Sequence, residues 1–198
     1  HPEDPTLAFL SALIEEFGDE WGNKLLFHHR WYSETDQVAS AHILARDVMP
    51  DADADTIGGL AEKIRNRMSG RGAFVGSSAE TAPLISSYFD QLLEILEPHL
   101  ENRLYLFGDR PAFADFGLGL QLYEMALDPT TAAIIRARTP NVLKWVYRMT
   151  EPRNDGPFED WRSLQPTLEP LLRCAGTYFL PWSTANAAAL ENEEENFS

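Results

Sequence analysis

The sequence predicts an all-α fold, and three observations support this prediction. Apolar residues recur at steps of three and four along several long segments, which is the period of an amphipathic helix. Residues that start or stop helices, such as Asp4-Pro5 and Pro50, bound these segments. No stretch alternates polar and apolar residues between turn signals, and there is no βαβ alternation and no internal repeat. We therefore expect one helical bundle.

A first long helix is predicted from Asp4-Pro5 to about Trp31 or Tyr32. An Asp at the N-cap followed by Pro in the first turn suits a helix start, because proline has no N–H to leave unsatisfied. One face then carries the recurring apolar positions Leu10, Leu13, Phe17, Trp21 and Leu25, with His28 following in the same register. Such a stripe is buried against a core.

Further helices are predicted by the same period and by their end signals. Pro83 is compatible with the predicted helix 80–100 only in its first turn. The approximate segments are 35–49, from the acidic turn to 68, 80–100, 113–127, 130–138, 141–150 and 163–178. Residues 191–198 are expected to fray.

The segment 113–127 is apolar on nearly every face, so we expect it to be the buried central helix of the bundle. Gly117 and Gly119 each cost about 1 kcal/mol relative to alanine inside a helix. Their expected benefit is the close approach of neighbouring backbones.

The composition describes one acidic domain. The 198 residues are 44% hydrophobic and carry 31 Asp and Glu against 16 Lys and Arg, giving a formal net charge of −15. This charge repels phosphate backbones and anionic lipid, so neither nucleic acid nor a membrane is an expected partner. No run approaches the roughly 20 apolar residues that a spanning helix needs, and the start lacks signal-peptide order, so a cytoplasmic location is expected.

One segment resembles a known family signature. The segment reads Leu104-Tyr105-Leu106-Phe107-Gly108-Asp109-Arg110-Pro111-Ala112-Phe113-Ala114-Asp115-Phe116. It resembles the motif that opens the buried core helix of glutathione transferase C-terminal domains. In that family a Ser or Thr caps the helix, and an Asp three residues later bonds back to the cap. Asp115 matches this signature Asp, whereas Ala112 has no side-chain oxygen, a loss of about 1 kcal/mol that water or a backbone group would offset.

The resemblance extends over most of the chain. The opening helix from Asp4 to Trp31 is similar to the first helix after the interdomain linker in one bacterial subgroup of the family, and residues 178–189 are similar to an extension in that subgroup. The resemblance implies a helical domain of the glutathione transferase C-terminal type at residues 1–182, and a C-terminal extension with an acidic tail at 183–198.

The resemblance also implies a function. Glutathione transferases conjugate or reduce small electrophiles, with glutathione as the co-substrate, and a thioredoxin-like half binds and activates the glutathione thiol. No such half can be located in this sequence, so the chain is expected to be the electrophile-site domain, and no metal is expected. The alternative is a non-enzymatic, stand-alone module that binds a protein partner or an apolar ligand.

In the family the first long helix supplies much of the electrophile pocket. This carries over to His28, His29, Trp31 and Tyr32 as candidate substrate-binding residues. Successive helical residues differ by about 100°, so we expect about two of them to line a cleft. The alternative is that they serve core or interface packing. Adjacent His28 and His29 cannot both point at one ion, which argues against zinc.

Two further motifs allow alternative interpretations. Asp51, Asp53, Asp55 and Glu62 occupy positions one, three, five and twelve of a calcium-binding loop, but Thr56 stands where the sharp turn needs glycine. The alternative is a solvated helix-capping loop. Cys174 is the one cysteine, which excludes an internal disulfide; it is read either as a buried small hydrophobe or, less favourably, as a catalytic thiol.

Two interpretations concern a second subunit. Asp19 and Glu20 lie midway along the first helix, where some family members reach the glutathione amine of a neighbouring subunit; the alternative is a pair of surface charges. A homodimer through the apolar faces of the first two long helices is a further hypothesis.

Overall fold

The computed structural model describes residues 2–194, and within that range all regular elements are helical. The predicted all-α class is confirmed. The α-helices are α1 Pro5–Glu16, α2 Asn23–Tyr32, α3 Glu34–Val48, α4 Ala54–Ser69, α5 Ala82–His99, α6 Phe113–Met125, α7 Pro129–Arg138, α8 Pro140–Arg148, α9 Trp161–Cys174 and α10 Leu180–Glu191. Within residues 2–194 no helix is both long and apolar enough to cross a bilayer.

The predicted first long helix is present but is not a uniform α-helix. Asp4 caps it as expected, because its Oδ1 accepts hydrogen bonds from the amides of Thr6 at 2.9 Å and Leu7 at 3.0 Å. Between α1 and α2 the chain forms a π-helical segment, Phe17–Gly22. Single π turns of this kind are rare and interrupt the regular helical register.

The first helix and α6 cross at a point where each of them has a glycine, Gly18 in the first helix and Gly117 in α6. A β-carbon on Gly18 would lie 2.4 Å from the Leu118 nitrogen, and one on Gly117 would lie 2.6 Å from the Glu15 carbonyl oxygen. Both distances are shorter than real contacts allow. The predicted backbone approach is therefore confirmed for Gly117. A β-carbon on Gly119 would instead meet a side chain, 3.0 Å from Cζ2 of the Trp145 ring.

Helix α6 is central but is not buried on every side. Leu118 and Leu122 are inaccessible in the main core. Phe113, Phe116 and Leu120, however, are 46%, 40% and 39% exposed. The expectation of a helix buried all round is wrong for this stripe, because positions three and four apart share one face and no other element covers that face fully.

Asp115 organises the start of α6 from a fully buried position. Its carboxylate accepts hydrogen bonds from the amides of Leu106 and Ala112, both at 2.8 Å, and from the Trp145 indole at 2.9 Å. The Asp half of the predicted capping box is therefore confirmed. Burial raises the pKa of Asp115 to about 6, although its hydrogen bonds act in the opposite direction.

The missing cap oxygen at Ala112 is replaced by a neighbouring helix. The buried Ser11 hydroxyl of α1 accepts a hydrogen bond from the Ala114 amide at 3.3 Å. The Asp115 amide bonds to the Ala112 carbonyl at 3.0 Å. The expected backbone substitute is therefore present for the Asp115 amide, and the Ala114 amide uses a side chain that lies about a hundred residues earlier in the sequence.

Helices α3 and α4 form a hairpin over a second, smaller apolar cluster, whose buried members are Trp31, Ala41, Ala45, Ile57 and Ala61. Asp53 caps α4 by accepting the Thr56 amide at 2.8 Å. Since α4 begins at Ala54, Asp55 and Glu62 lie in a helix and the twelve-residue calcium loop is not formed. The helix-capping interpretation of this segment is confirmed.

The C-terminal helix is longer than predicted. Helix α9 continues through a second π-helical segment, Ala175–Phe179, into α10. The expected boundary between residues 182 and 183 falls inside α10. That helix ends at Glu191, and residues 195–198 of the predicted fraying end lie outside the described range.

Candidate functional site

Three of the four predicted binding residues, His28, His29 and Tyr32, line one cavity of about 210 Å³. All three lie in the last turns of α2. His28 and Tyr32 are four residues apart and share a face, and His29 follows His28 directly in the sequence. The sequence expectation of about two residues in one cleft is therefore exceeded by one.

Helices α3, α5 and α7 supply the other walls of this cavity. Ser86 and Phe89 come from α5, and Thr130 and Ile134 come from α7. These residues were not singled out from the sequence. Phe89 and Ile134 read there only as members of ordinary helical stripes, so no local signal marked them as lining residues.

Aromatic rings form a continuous wall along the cavity. The centroids of His28 and Tyr32 are 4.6 Å apart and the rings are stacked. His29 lies 5.1 Å from His28 and 4.9 Å from Phe89, measured between ring centroids. Flat rings in this arrangement offer dispersion contacts to a planar ligand.

His28 is fixed in place by burial and by one hydrogen bond. It is 3% exposed, and its Nδ1 lies 2.7 Å from the Ser77 hydroxyl oxygen. Burial lowers the pKa of His28 below its usual value. The ring is therefore held in one orientation, and its burial disfavours the charged form.

His29 lines the cavity and carries a buried polar atom without a partner in the described part of the chain. Its Nε2 is buried and has no hydrogen-bond partner among residues 2–194. Burial, followed by the neighbouring His28, lowers the pKa of His29 to about 4, so the ring is neutral at pH 7. A buried polar atom without a partner is unfavourable, and a ligand that bonds to it removes that cost.

The two carboxylates at the cavity already have partners. Asp36 accepts hydrogen bonds from the Thr130 amide at 2.9 Å and from its hydroxyl at 2.6 Å. Asp90 pairs with Arg138 at 2.5 Å. Their negative charges disfavour an anionic ligand here, so the cavity suits a neutral one.

Trp31 does not line this cavity. It is 5% exposed and belongs to the second apolar cluster beneath α3 and α4. Its neighbour Arg30 points elsewhere too, with Nε 2.9 Å from Asp128 and Nη2 2.8 Å from Glu124. Trp31 thus packs in the second apolar cluster and Arg30 forms ion pairs, so neither side chain lines the cavity.

The other candidate residues show no converging chemistry. Cys174 is 8% exposed, and burial raises the pKa of its thiol, which fits the small buried hydrophobe interpretation. Asp19 and Glu20 lie exposed in the first π-helical segment. Among residues 2–194, no group of three or more His, Cys, Asp or Glu side chains is arranged to hold a metal ion.

Comparisons with family models, with curated proteins and with solved structures return no match for this chain.

Proposed function

We propose that this chain is the electrophile-binding helical domain of a glutathione-transferase-like protein. In this proposal a thioredoxin-like half binds glutathione and activates its thiol, and the α2–α5–α7 cavity holds the second substrate. The observation that carries the proposal is the convergence of His28, His29 and Tyr32 on one cavity.

The opening of α6 supports the family part of the proposal. The signature Asp115 is fully buried, and it bonds back to the amide at the cap position at 2.8 Å. This is the role that the family motif gives to that residue. The departure at Ala112 is offset by Ser11, so the local capping function persists with different atoms.

The size and polarity of the cavity support a small aromatic substrate. A cavity of about 150 Å³ holds benzene. The volume of about 210 Å³ found here therefore accommodates one substituted ring. A neutral substituent that bonds to His29 Nε2, such as a hydroxyl or nitro group, completes the site. The expected role of this chain is to bind and orient the electrophile.

A matched pair of ligands tests the cavity. Phenol and toluene have nearly the same size, but only phenol offers a hydrogen-bonding group to His29. We expect phenol to bind about tenfold more tightly, as measured by ligand-detected NMR, because it satisfies the buried nitrogen. In His29→Phe this preference should disappear, whereas His42→Phe on the exposed face of α3 should retain it. Equal affinities in the wild-type protein would contradict the proposed site.

The enzymatic part of the proposal has its own test. The intact mass of the natively expressed protein is measured, together with its retention on immobilised glutathione. A mass larger than that of these 198 residues by a thioredoxin-like domain, with retention, supports the two-domain enzyme. A native protein that has the mass of this chain alone and is not retained on glutathione contradicts the two-domain enzyme.

One observation favours the alternative of a non-enzymatic binding module. The stripe of Phe113, Phe116 and Leu120 on α6 leaves large apolar side chains exposed. Such a surface is typical of a protein contact.

Homodimerisation is a related proposal. Sedimentation of the wild-type protein and of Phe116→Ser at micromolar concentration tests it. A wild-type dimer that is lost in the variant supports the contact, and a wild-type monomer contradicts it.

A further inference from the structure

A second and larger cleft lies away from the histidine cavity. Its volume is about 730 Å³, and it is formed by the start of α1, Arg110 and the segment 154–161. Small-molecule sites usually have volumes of about 300–1,000 Å³. Leu7, Phe158 and Trp161 give the cleft an apolar part.

Among residues 2–194, Arg110 is the one basic residue that lines this cleft, and it forms no ion pair with the carboxylates there. Its Nε is buried without a hydrogen-bond partner among residues 2–194. Its guanidinium carbon lies 5.6 Å from the centroid of the Phe158 ring, so one face of the cation is supported by an aromatic surface. A guanidinium supported in this way suits a planar carboxylate, which it binds with two parallel hydrogen bonds.

Three of the five carboxylates that line the cleft are already engaged. Asp4 and Asp160 accept amide hydrogen bonds at the starts of α1 and α9. Glu159 pairs with Arg103 at 2.9 and 3.0 Å. Glu3 and Asp155 form no ion pair within residues 2–194, so their charges are available to a ligand.

The charges of the cleft select the class of ligand. Arg103 balances Glu159, so four carboxylates remain against one guanidinium, and they repel a simple anion such as phosphate. A ligand that pairs with Arg110 must therefore also carry a positive charge. We propose that the cleft binds a zwitterion with an apolar side chain, either a free α-amino acid or a short peptide. Its carboxylate pairs with Arg110, its ammonium faces Glu3 and Asp155, and its side chain packs on Trp161.

Four ligands of graded charge test this proposal by calorimetric titration. L-leucine and leucyl-leucine carry both charges, L-leucinamide lacks the carboxylate, and N-acetyl-L-leucine lacks the ammonium. We expect one or both zwitterions to bind, and each singly charged ligand to bind about tenfold more weakly or worse. Tighter binding of leucine identifies a free amino acid as the ligand, and tighter binding of the dipeptide identifies a peptide.

Variants at Arg110 complete the test. Arg110→Gln should abolish zwitterion binding, and Arg110→Lys should weaken it, because lysine keeps the charge but loses the planar fork. Arg136→Gln removes an exposed charge that does not line the cleft and should bind as the wild type does. The proposal is overturned if neither zwitterion binds, if leucinamide matches leucine, or if Arg110→Gln binds normally in a protein with wild-type circular dichroism. None of these outcomes depends on the His29 cavity.

Discussion

Gly18 and Leu118 touch through their backbones, since a β-carbon on Gly18 would lie 2.4 Å from the Leu118 nitrogen. This contact sets how closely the first helix approaches the central helix α6. It also lies in the π-helical segment Phe17–Gly22, so the helix departs from its regular register at the point where it crosses its neighbour.

Gly18→Ala is expected to destabilise the protein by about 1–3 kcal/mol or more, because the added methyl group meets backbone rather than a movable side chain. Gly22→Ala is the matched control. Its β-carbon would lie 3.7 Å from the nearest side-chain atoms, an ordinary contact. It should leave stability unchanged or raise it by up to about 1 kcal/mol. Urea unfolding measures both, and equal midpoints for the two variants would contradict the close crossing.

Asp115→Ala removes the acceptor for three buried donors: the amides of Leu106 and Ala112 and the Trp145 indole. Each unsatisfied buried donor costs about 1–3 kcal/mol, so a total loss of about 3 kcal/mol or more is expected. Thermal melting followed by circular dichroism is the measurement, with exposed Asp47→Ala as the control. A melting temperature within about a degree of the wild type would show that Asp115 does not hold the start of α6.

Ser11 and Ala112 are expected to be coupled. Ala112→Ser supplies the missing cap oxygen to a residue with extended backbone, and it should stabilise α6 by about 1 kcal/mol. Ser11→Ala should destabilise the wild-type protein, because the Ala114 amide loses its acceptor. In the Ala112→Ser background the same change should cost less. Chemical unfolding of the four proteins gives the coupling free energy, and strictly additive effects would argue against a shared capping role.

The buried position of His99 predicts that the folded protein loses stability in acid. Its Nε2 donates to the Leu106 carbonyl at 2.9 Å, and its Nδ1 accepts from the Thr167 hydroxyl at 2.8 Å. Burial lowers the pKa of His99 from 6.5 to about 4. The unfolded chain therefore binds a proton near pH 6.5 that the folded protein excludes until about pH 4, so stability falls as the pH falls through this window.

The comparison of wild type with His99→Gln isolates this effect. Between pH 7 and 5 the wild type should lose about 2 kcal/mol more unfolding free energy than the variant does. His29, with its pKa lowered to about 4, adds a loss of the same sign to both proteins. Asp115, with its pKa raised to about 6, opposes it in both, because there the folded protein binds the proton first. If the unfolding free energies of the wild type and His99→Gln change with pH in parallel, the prediction for His99 is contradicted.

The helices and several of their ends could be predicted from local sequence. Asp4 and Asp53 cap helices because a side-chain oxygen reaches amides two or three residues later, which is a property of the adjacent chain. Pro83 lies in the first turn of α5 for a similarly local reason. Asp115 was identifiable from a motif, since its bond to Ala112 also spans three residues.

The cavity could be predicted only in part. The family resemblance indicated the α2 contribution, and helical spacing added that His28 and Tyr32 share a face. Phe89 and Ile134 line the cavity from α5 and α7, which are distant in the sequence. The helical period of each segment does not show which helices pack against each other. The burial of Trp31 in a separate cluster depends in the same way on where the α3–α4 hairpin lies.

The sequence by itself determined the all-α class, the helical segments and the local caps, because these depend on interactions within a few residues. Only the tertiary structure decided that Ser11 replaces the cap oxygen of Ala112, that His29 Nε2 is left without a partner and that Arg110 lines an acidic cleft. Each of these is a contact, or a missing contact, between residues far apart in the chain. They follow from how the helices pack, and the helical period of a single segment does not carry that information.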